Sequence, residues 1–212
     1  MKVIKDFSLK EEIANSVLHG IGSVISIVFL VLLIIKSIQI GTPWHIVSYT
    51  IFGVSLVILY TMSSIYHAFP NGKAKEVFER FDHISIYILI AGSYTPFCFT
   101  ILKGPMGWTI FGLQWGIAIL GIVFKSIWIK KYVTFSTFLY IVMGWVIIIA
   151  IKPIIISLSP YGLYFLVLGG VSYTVGTIFY LFRLFKYHHA VWHIFVLAGS
   201  IFHFITIYIY LK

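Results

Sequence analysis

The chain has 212 residues, of which 60% are hydrophobic, 18% aromatic and only 10% charged, whereas soluble domains carry about 25% charged residues. This composition excludes a soluble fold, and the single cysteine, Cys98, excludes a disulfide framework and a thiolate metal site. The net charge of +9 could indicate nucleic-acid binding, but the basic excess that orients membrane proteins accounts for it, and we expect no nucleic-acid partner.

Seven apolar segments take up almost the whole chain, each close to the roughly 20 residues that a membrane-spanning helix needs. Ser8 and Glu11 have the spacing of a capping box, so the first helix is expected to begin near Leu9. The predicted spans cover about residues 14–35, 46–67, 84–101, 107–124, 133–151, 161–182 and 187–211. The sequence therefore predicts an all-α, polytopic seven-helix bundle that forms a single domain over residues 1–212.

Three breaks between these spans are predicted from polar or helix-breaking residues. Lys36 is expected to close the first span, and the hydrophilic stretch FPNGKAKEVFER is expected to form a loop between the second and third spans, with its turn at residues 70–72. Lys152-Pro153 is expected to end the fifth span, because proline interrupts a helix.

The loops predict the orientation of the bundle, because cytoplasmic loops are enriched in lysine and arginine. Alternate loops carry most of the basic residues: Lys2, Lys5, Lys10, Lys73, Lys75, Arg80, Lys125, Lys130, Lys131, Arg183 and Lys186. The opposite loops hold only Lys36, Lys103, Lys152 and Lys212. We therefore predict a cytoplasmic N-terminus, an external C-terminus and a multi-pass protein of the cell membrane.

Ionisable side chains from three predicted spans share the cytoplasmic depth. His189 and His193 are four residues apart at the start of span seven, so they lie on one helix face. His67 ends span two and Asp82 opens span three at the same depth. A membrane histidine is often only a hydrogen-bonded packing residue, and ionisable groups inside a membrane also mark functional sites.

Imidazole and carboxylate groups are zinc ligands, and catalytic zinc sites often use three protein ligands and leave a fourth position for water. We therefore predict a Zn²⁺ site formed by His67, His189 and His193. Asp82 is expected either to bind the ion or to deprotonate its water, and Ser63, four residues before His67, to orient that water or a substrate carbonyl.

A second polar row begins span one and contains Glu12, Asn15 and His19, within about 60° of one helix face. It is interpreted either as a polar helix start that faces the bundle and pairs with Lys or Arg, or as support for the metal site. His83 is set aside because it points about 100° away from Asp82, and His203 because it lies roughly 15 Å along the helix from His193.

Taken in order, these motifs resemble the hemolysin III proteins, the bacterial branch of the progestin and adipoQ receptor family, which includes the adiponectin receptors. The resemblance covers nearly the whole chain and rests on four motifs: Glu12-x-x-Asn15-x-x-x-His19, Ser63-Ser64-Ile65-Tyr66-His67, Asp82, and His189-Ala190-Val191-Trp192-His193. It implies zinc at the positions of the three histidines, with Asp82 on the ion directly or through water and Ser63 supporting it. The family also resembles membrane ceramidases in this pattern, which implies hydrolysis of lipid amides. The resemblance to the bacterial members implies a part in membrane lipid homeostasis.

The leading hypothesis is a zinc-dependent hydrolase that acts on a lipid amide or ester near the inner leaflet, with Asp82 as the base. A receptor or sensor with a structural zinc would use the same ligands, with a membrane lipid as its ligand. A pore-forming cytolysin is the third alternative, which the family name implies, although no polar stripe follows all the spans. Oligomeric state is not predicted.

Overall fold

The computed structural model describes residues 7–129, 131–183 and 185–211, and within these ranges it is helical, with no strands. Seven helical spans are long and apolar enough to cross a membrane, which confirms the predicted fold class. The helices are α1 (Leu9–Ile40), α2 (Pro43–Ala68), α3 (Lys73–Phe97), α4 (Gly104–Ile127), α5 (Val133–Trp145), α6 (Ile151–Ser157), α7 (Pro160–Leu181) and α8 (His188–Ile205). Four basic residues used for the orientation lie outside the described residues: Lys2, Lys5, Lys130 and Lys212. The orientation stays a prediction.

The first helix begins as predicted and ends later. Ser8 Oγ accepts a hydrogen bond from the Glu11 backbone N–H, and the Glu11 carboxylate accepts one from the Ser8 backbone N–H at 3.0 Å, which completes the capping box. The prediction that Lys36 closes the span is wrong. A lysine near a helix end can extend its ammonium group away from the apolar layer, and α1 instead ends at Gly41, whose φ of 79° is the left-handed conformation of a helix C-terminus.

The predicted loop between spans two and three is mostly helical. Only the residues around the Pro70–Gly72 turn separate the two helices, and α3 begins at Lys73, because Lys, Ala and Glu are good helix formers. Asp82 consequently lies in the third turn of α3 and does not open the span. The extra turns also bring Lys75 onto the same helix as Asp82.

The fifth span continues past the predicted stop at Lys152-Pro153 and covers Val133–Ser157. It is built from α5, a 3₁₀ segment over Val146–Ala150, and α6. Pro153 is the third residue of α6, where a backbone N–H has no partner within its helix, so the missing donor costs little. Spans three and seven end in short π-helical turns, Cys98–Leu102 and Thr206–Tyr210.

The order of packing brings the first helix and the last helix together. Consecutive helices α1 to α4 pack on one another, and α8 packs against both α7 and α1. Tyr60 of α2 donates a hydrogen bond to Ser200 of α8 at 2.7 Å. Because α1, α2 and α8 are neighbours, the start of α1, the end of α2 and the start of α8 lie at one end of the bundle.

Small residues and apolar outer faces fit a membrane setting. A Cβ added at Gly199 would lie 2.8 Å from the Tyr173 ring, so α7 and α8 approach closely only because this residue is glycine. Large apolar side chains such as Val24, Leu120 and Ile156 are exposed on the outside of the bundle. In a membrane, lipid chains would cover these side chains, so that their apolar surface is not exposed to water.

Candidate metal centre

Three imidazoles from two distant parts of the chain meet at one end of the bundle. The candidate metal-ligating atoms of His67, His189 and His193 all lie within 4.8 Å of one another. The ring centroids of His189 and His193, one turn apart on α8, are 4.6 Å apart, and each lies about 5 Å from that of His67. We call these three residues the histidine triad.

Helix α1 anchors the start of α8 at this place. The backbone N–H of Tyr187, the residue that precedes α8, donates a hydrogen bond to Glu11 Oε1 at 3.1 Å. Phe7, immediately before the first helix, stacks at a tilt on His189 with centroids 4.9 Å apart. The N-terminal end of α1 therefore covers the triad from the end of the bundle.

Helix α1 also orients two of the three rings, although it supplies none of them. His67 Nδ1 donates to Glu12 Oε2 at 2.6 Å, and His193 Nδ1 donates to the Asn15 backbone oxygen at 3.3 Å. Carboxylate and carbonyl oxygens only accept hydrogen bonds, so each of these rings, when neutral, carries its proton on Nδ1 and its lone pair on Nε2. His67 Nε2 is buried and has no hydrogen-bond partner among the described residues.

The triad fits a metal ion by its chemistry and its spacing. In a tetrahedral site with zinc–nitrogen distances of about 2.0–2.1 Å, the ligand atoms are roughly 3.4 Å apart. The observed limit of 4.8 Å is within reach of small ring rotations. Three converging imidazoles, with the buried and unpaired Nε2 of His67 among them, therefore form a possible metal-binding site.

Ser63 and Asp82, the other predicted site residues, line one cavity with His189 and His193. The cavity has a volume of about 100 Å³, which is room for several water molecules. Ser63 Oγ is buried and has no hydrogen-bond partner among the described residues. Asp82 is not part of the triad, and its Oδ2 lies 3.8 Å from His83 Nδ1.

The sequence interpretation set aside or left open three residues that the structure places at this site. His83 lines the cavity and contacts the Tyr180 hydroxyl at 3.3 Å. His19 also lines the cavity, and its ring lies 3.5 Å from that of His193. Glu12 contacts His67. The sequence signal for His19 and Glu12 was the Glu12-x-x-Asn15-x-x-x-His19 row. The sequence does not reveal which face of α1 meets α2 and α8.

The rest of the cavity is mainly apolar and extends along the bundle. Side chains from α3, α5, α7 and α8 line it, among them Ile86, Ile90 and Trp192. His203 lines the same cavity but does not belong to the triad, in agreement with its predicted distance. A polar group can therefore lie at the triad while an apolar chain extends between the helices.

Seven membrane-spanning helices with a histidine triad at one end define a class of polytopic membrane protein with a candidate intramembrane metal site. Residues 7–204 match the family model described as haemolysin-III related, and the chain belongs to this family. The predicted family resemblance is therefore confirmed.

Three relatives show the range of this similarity. The chain is 51% identical to the "Hemolysin-3 homolog" of Bacillus subtilis (strain 168) over 194 residues, 92% of this chain and 91% of the relative. It is 44% identical to "Hemolysin-3" of Bacillus cereus over 202 residues, 95% and 92% of the two chains. The "Monocyte to macrophage differentiation factor" of Homo sapiens, from the progestin and adipoQ receptor family, is 27% identical over 177 residues, 79% and 72%. No solved structure matches the chain significantly.

Proposed function

We propose that the protein is a zinc-dependent hydrolase of lipid amides or esters in the cell membrane. The observation that carries this proposal is the histidine triad, two of whose members, His189 and His193, line a largely apolar cavity together with Asp82 and Ser63. Three histidine ligands with a fourth position left open are typical of catalytic zinc sites. The surrounding cavity favours a substrate with a polar reacting group and apolar chains.

His67, His189 and His193 would hold the ion. When bound, zinc supplies Lewis-acid polarisation of a carbonyl and makes water a stronger nucleophile at neutral pH. Asp82 accepts a proton from the attacking water and returns it to the departing nitrogen or oxygen, as a general base and then a general acid. Water adds to the carbonyl carbon, the C–N or C–O bond breaks, and a carboxylic acid and an amine or alcohol form. Ser63 Oγ donates a hydrogen bond to the substrate carbonyl.

The reaction is assigned to the inner leaflet on the predicted orientation. The distribution of basic residues in the loops favours a cytoplasmic position for the triad end of the bundle. The scissile bond would then lie at the level of the lipid headgroups, with the acyl chains along Ile86, Ile90 and Trp192.

Turnover by purified, zinc-loaded protein tests the proposal. We expect release of a labelled fatty acid from ceramide-type amides or the matching esters, and we expect Asp82→Asn to abolish the release while zinc stays bound. Glu76→Gln removes an exposed carboxylate on the same helix and should leave turnover unchanged. Equal turnover by the Asp82→Asn and unaltered proteins would contradict the role of Asp82, and the absence of turnover with any lipid would favour a receptor or sensor with a structural zinc.

The name of the Bacillus cereus relative, "Hemolysin-3", favours cytolysis as a second candidate function. Dye release from liposomes by the purified protein would support it. If release occurs and is insensitive to a zinc chelator, a pore and not the triad is responsible for the activity.

A further inference from the structure

Glu12 lies beside the triad without belonging to it, and its contacts define a specific task. We propose that Glu12 is a positioning residue, which fixes the tautomer and the orientation of the His67 ring so that Nε2 faces the metal. This inference rests on the proposed metal centre and adds a residue to it.

The contact between Glu12 and His67 is short and mostly buried, with the Glu12 side chain 15% exposed. Glu12 Oε2 lies 2.6 Å from His67 Nδ1, and the His67 side chain is 0% exposed. An ionised carboxylate only accepts hydrogen bonds, so it selects the tautomer with the proton on Nδ1 and leaves Nε2 as the electron-pair donor. His67 Nε2 has no other partner among the described residues. A carboxylate behind a ligating histidine also makes that histidine more basic, which strengthens metal binding.

Glu12 is itself held in place by a third helix. Lys75 of α3 contacts Glu12 Oε1 at 2.9 Å. The same ammonium group donates to the backbone oxygens of Tyr66 and Phe69, at the end of α2, at 3.2 and 3.1 Å. Both oxygens of Glu12 are therefore engaged, one by His67 and one by Lys75. Glu12 is also not among the residues whose candidate ligand atoms converge, which makes it a support and not a ligand.

The backbone of α1 performs the same task for a second ligand. His193 Nδ1 donates to the Asn15 oxygen, one turn further along α1 from Glu12. A side-chain substitution cannot remove a backbone oxygen. Of these two contacts, only the one made by Glu12 can therefore be tested by mutation.

Zinc affinity of the full-length protein in detergent tests the proposal, with zinc ion alone as the probe and a fluorescent chelator as competitor. We expect Glu12→Gln to weaken zinc binding by about 10- to 100-fold, the usual effect of losing such a support. Glutamine can offer an N–H to Nδ1, which selects the wrong tautomer. Lys75→Met should weaken zinc binding less, because it keeps the Glu12 carboxylate and removes only the ammonium group that holds it. Glu76→Gln should not weaken zinc binding, because Glu76 is an exposed acid on the same helix as Lys75.

Two further measurements separate positioning from a merely structural role. Nitrogen NMR of the metal-free protein with labelled histidine should show the His67 proton on Nδ1 in the unaltered chain and a shift toward Nε2 in Glu12→Gln. The metal-free thermal midpoint should change little, while the rise in midpoint on adding zinc shrinks.

Unchanged zinc affinity in Glu12→Gln would overturn the role of Glu12. So would a weaker affinity that accompanies a lower metal-free midpoint and an unchanged His67 tautomer. If the unaltered protein binds no zinc, the metal centre fails and this inference fails with it, whereas failure in Glu12→Gln alone leaves the centre standing.

Discussion

The ring of His19 stacks on the ring of His193, with centroids 3.5 Å apart and an interplanar angle of 16°. His19 is 3% exposed and neither of its ring nitrogens has a hydrogen-bond partner among the described residues. A fourth imidazole thus lies directly beside the triad, yet it is not one of the three whose candidate ligand atoms converge.

Replacement of His19 by phenylalanine tests this distinction. Phenylalanine preserves a stacked ring and removes two buried polar atoms, and leaving such atoms unpaired costs about 1–3 kcal/mol. We expect His19→Phe to bind one equivalent of zinc and to be at least as stable to thermal unfolding in detergent as the unaltered protein. Loss of zinc from this variant would instead make His19 a ligand.

Removal of a triad member should release the metal. His193→Ala takes away one of three nitrogen donors, so elemental analysis of the purified variant should find little or no zinc. His203→Ala is the matched control, because His203 is on the same helix and lines the same cavity but lies outside the triad. Full zinc occupancy in His193→Ala would contradict the assignment of the triad as the zinc site.

Zinc affinity should decrease as the pH falls. Histidine binds a metal only as the neutral ring, so protons compete with the metal and the apparent affinity is lost in acid. An ordinary imidazole titrates near pH 6.5 and is about 90% protonated one unit below. We expect the dissociation constant for zinc to rise by at least about tenfold between pH 7.5 and 4, a range wide enough for buried rings, which titrate below an exposed one. A constant affinity over this range would argue that histidines are not the ligands.

The close packing of α7 on α8 predicts a stability effect far from the triad. Gly199→Ala puts a methyl group 2.8 Å from the Tyr173 ring, and overpacking of this kind typically costs about 1–3 kcal/mol. We expect a lower thermal midpoint in detergent. Gly112→Ala is the control, because nothing lies within 4 Å of its added Cβ. If both variants unfold at the same temperature, the two helices can adjust their distance.

The number and class of the spans followed from the sequence because hydrocarbon requires about 20 apolar residues for each crossing helix. The local breaks were harder to predict. Lys152-Pro153 would stop an uninterrupted helix. Here a 3₁₀ segment ends just before α6, so Pro153 lies in the first turn of α6, where its missing backbone N–H costs little. The stretch after Gly72 is hydrophilic and was taken for a loop, although its residues favour helix and extend α3.

Matched depth, which follows from the order of the spans, predicted that His67 lies in one layer with His189 and His193, and the family resemblance implied that they share an ion. The contact of Glu12 with His67 depends on the rotation of α1 against α2. The rotation of a helix about its axis is set by its packing. The spacing of polar residues shows which face of a helix is polar, but not which neighbouring helix that face contacts. The polar row at the start of α1 therefore remained open between two interpretations.

The position of the triad has a consequence for how the protein is made. The nitrogen donors of the triad come from α2 and α8, and α1 orients two of them. A nascent chain that enters the bilayer from its N-terminus cannot complete this set until the final helix has been inserted. A metal ion bound at the proposed site would therefore be taken up only after insertion of α8, and it would fasten α8 to α2.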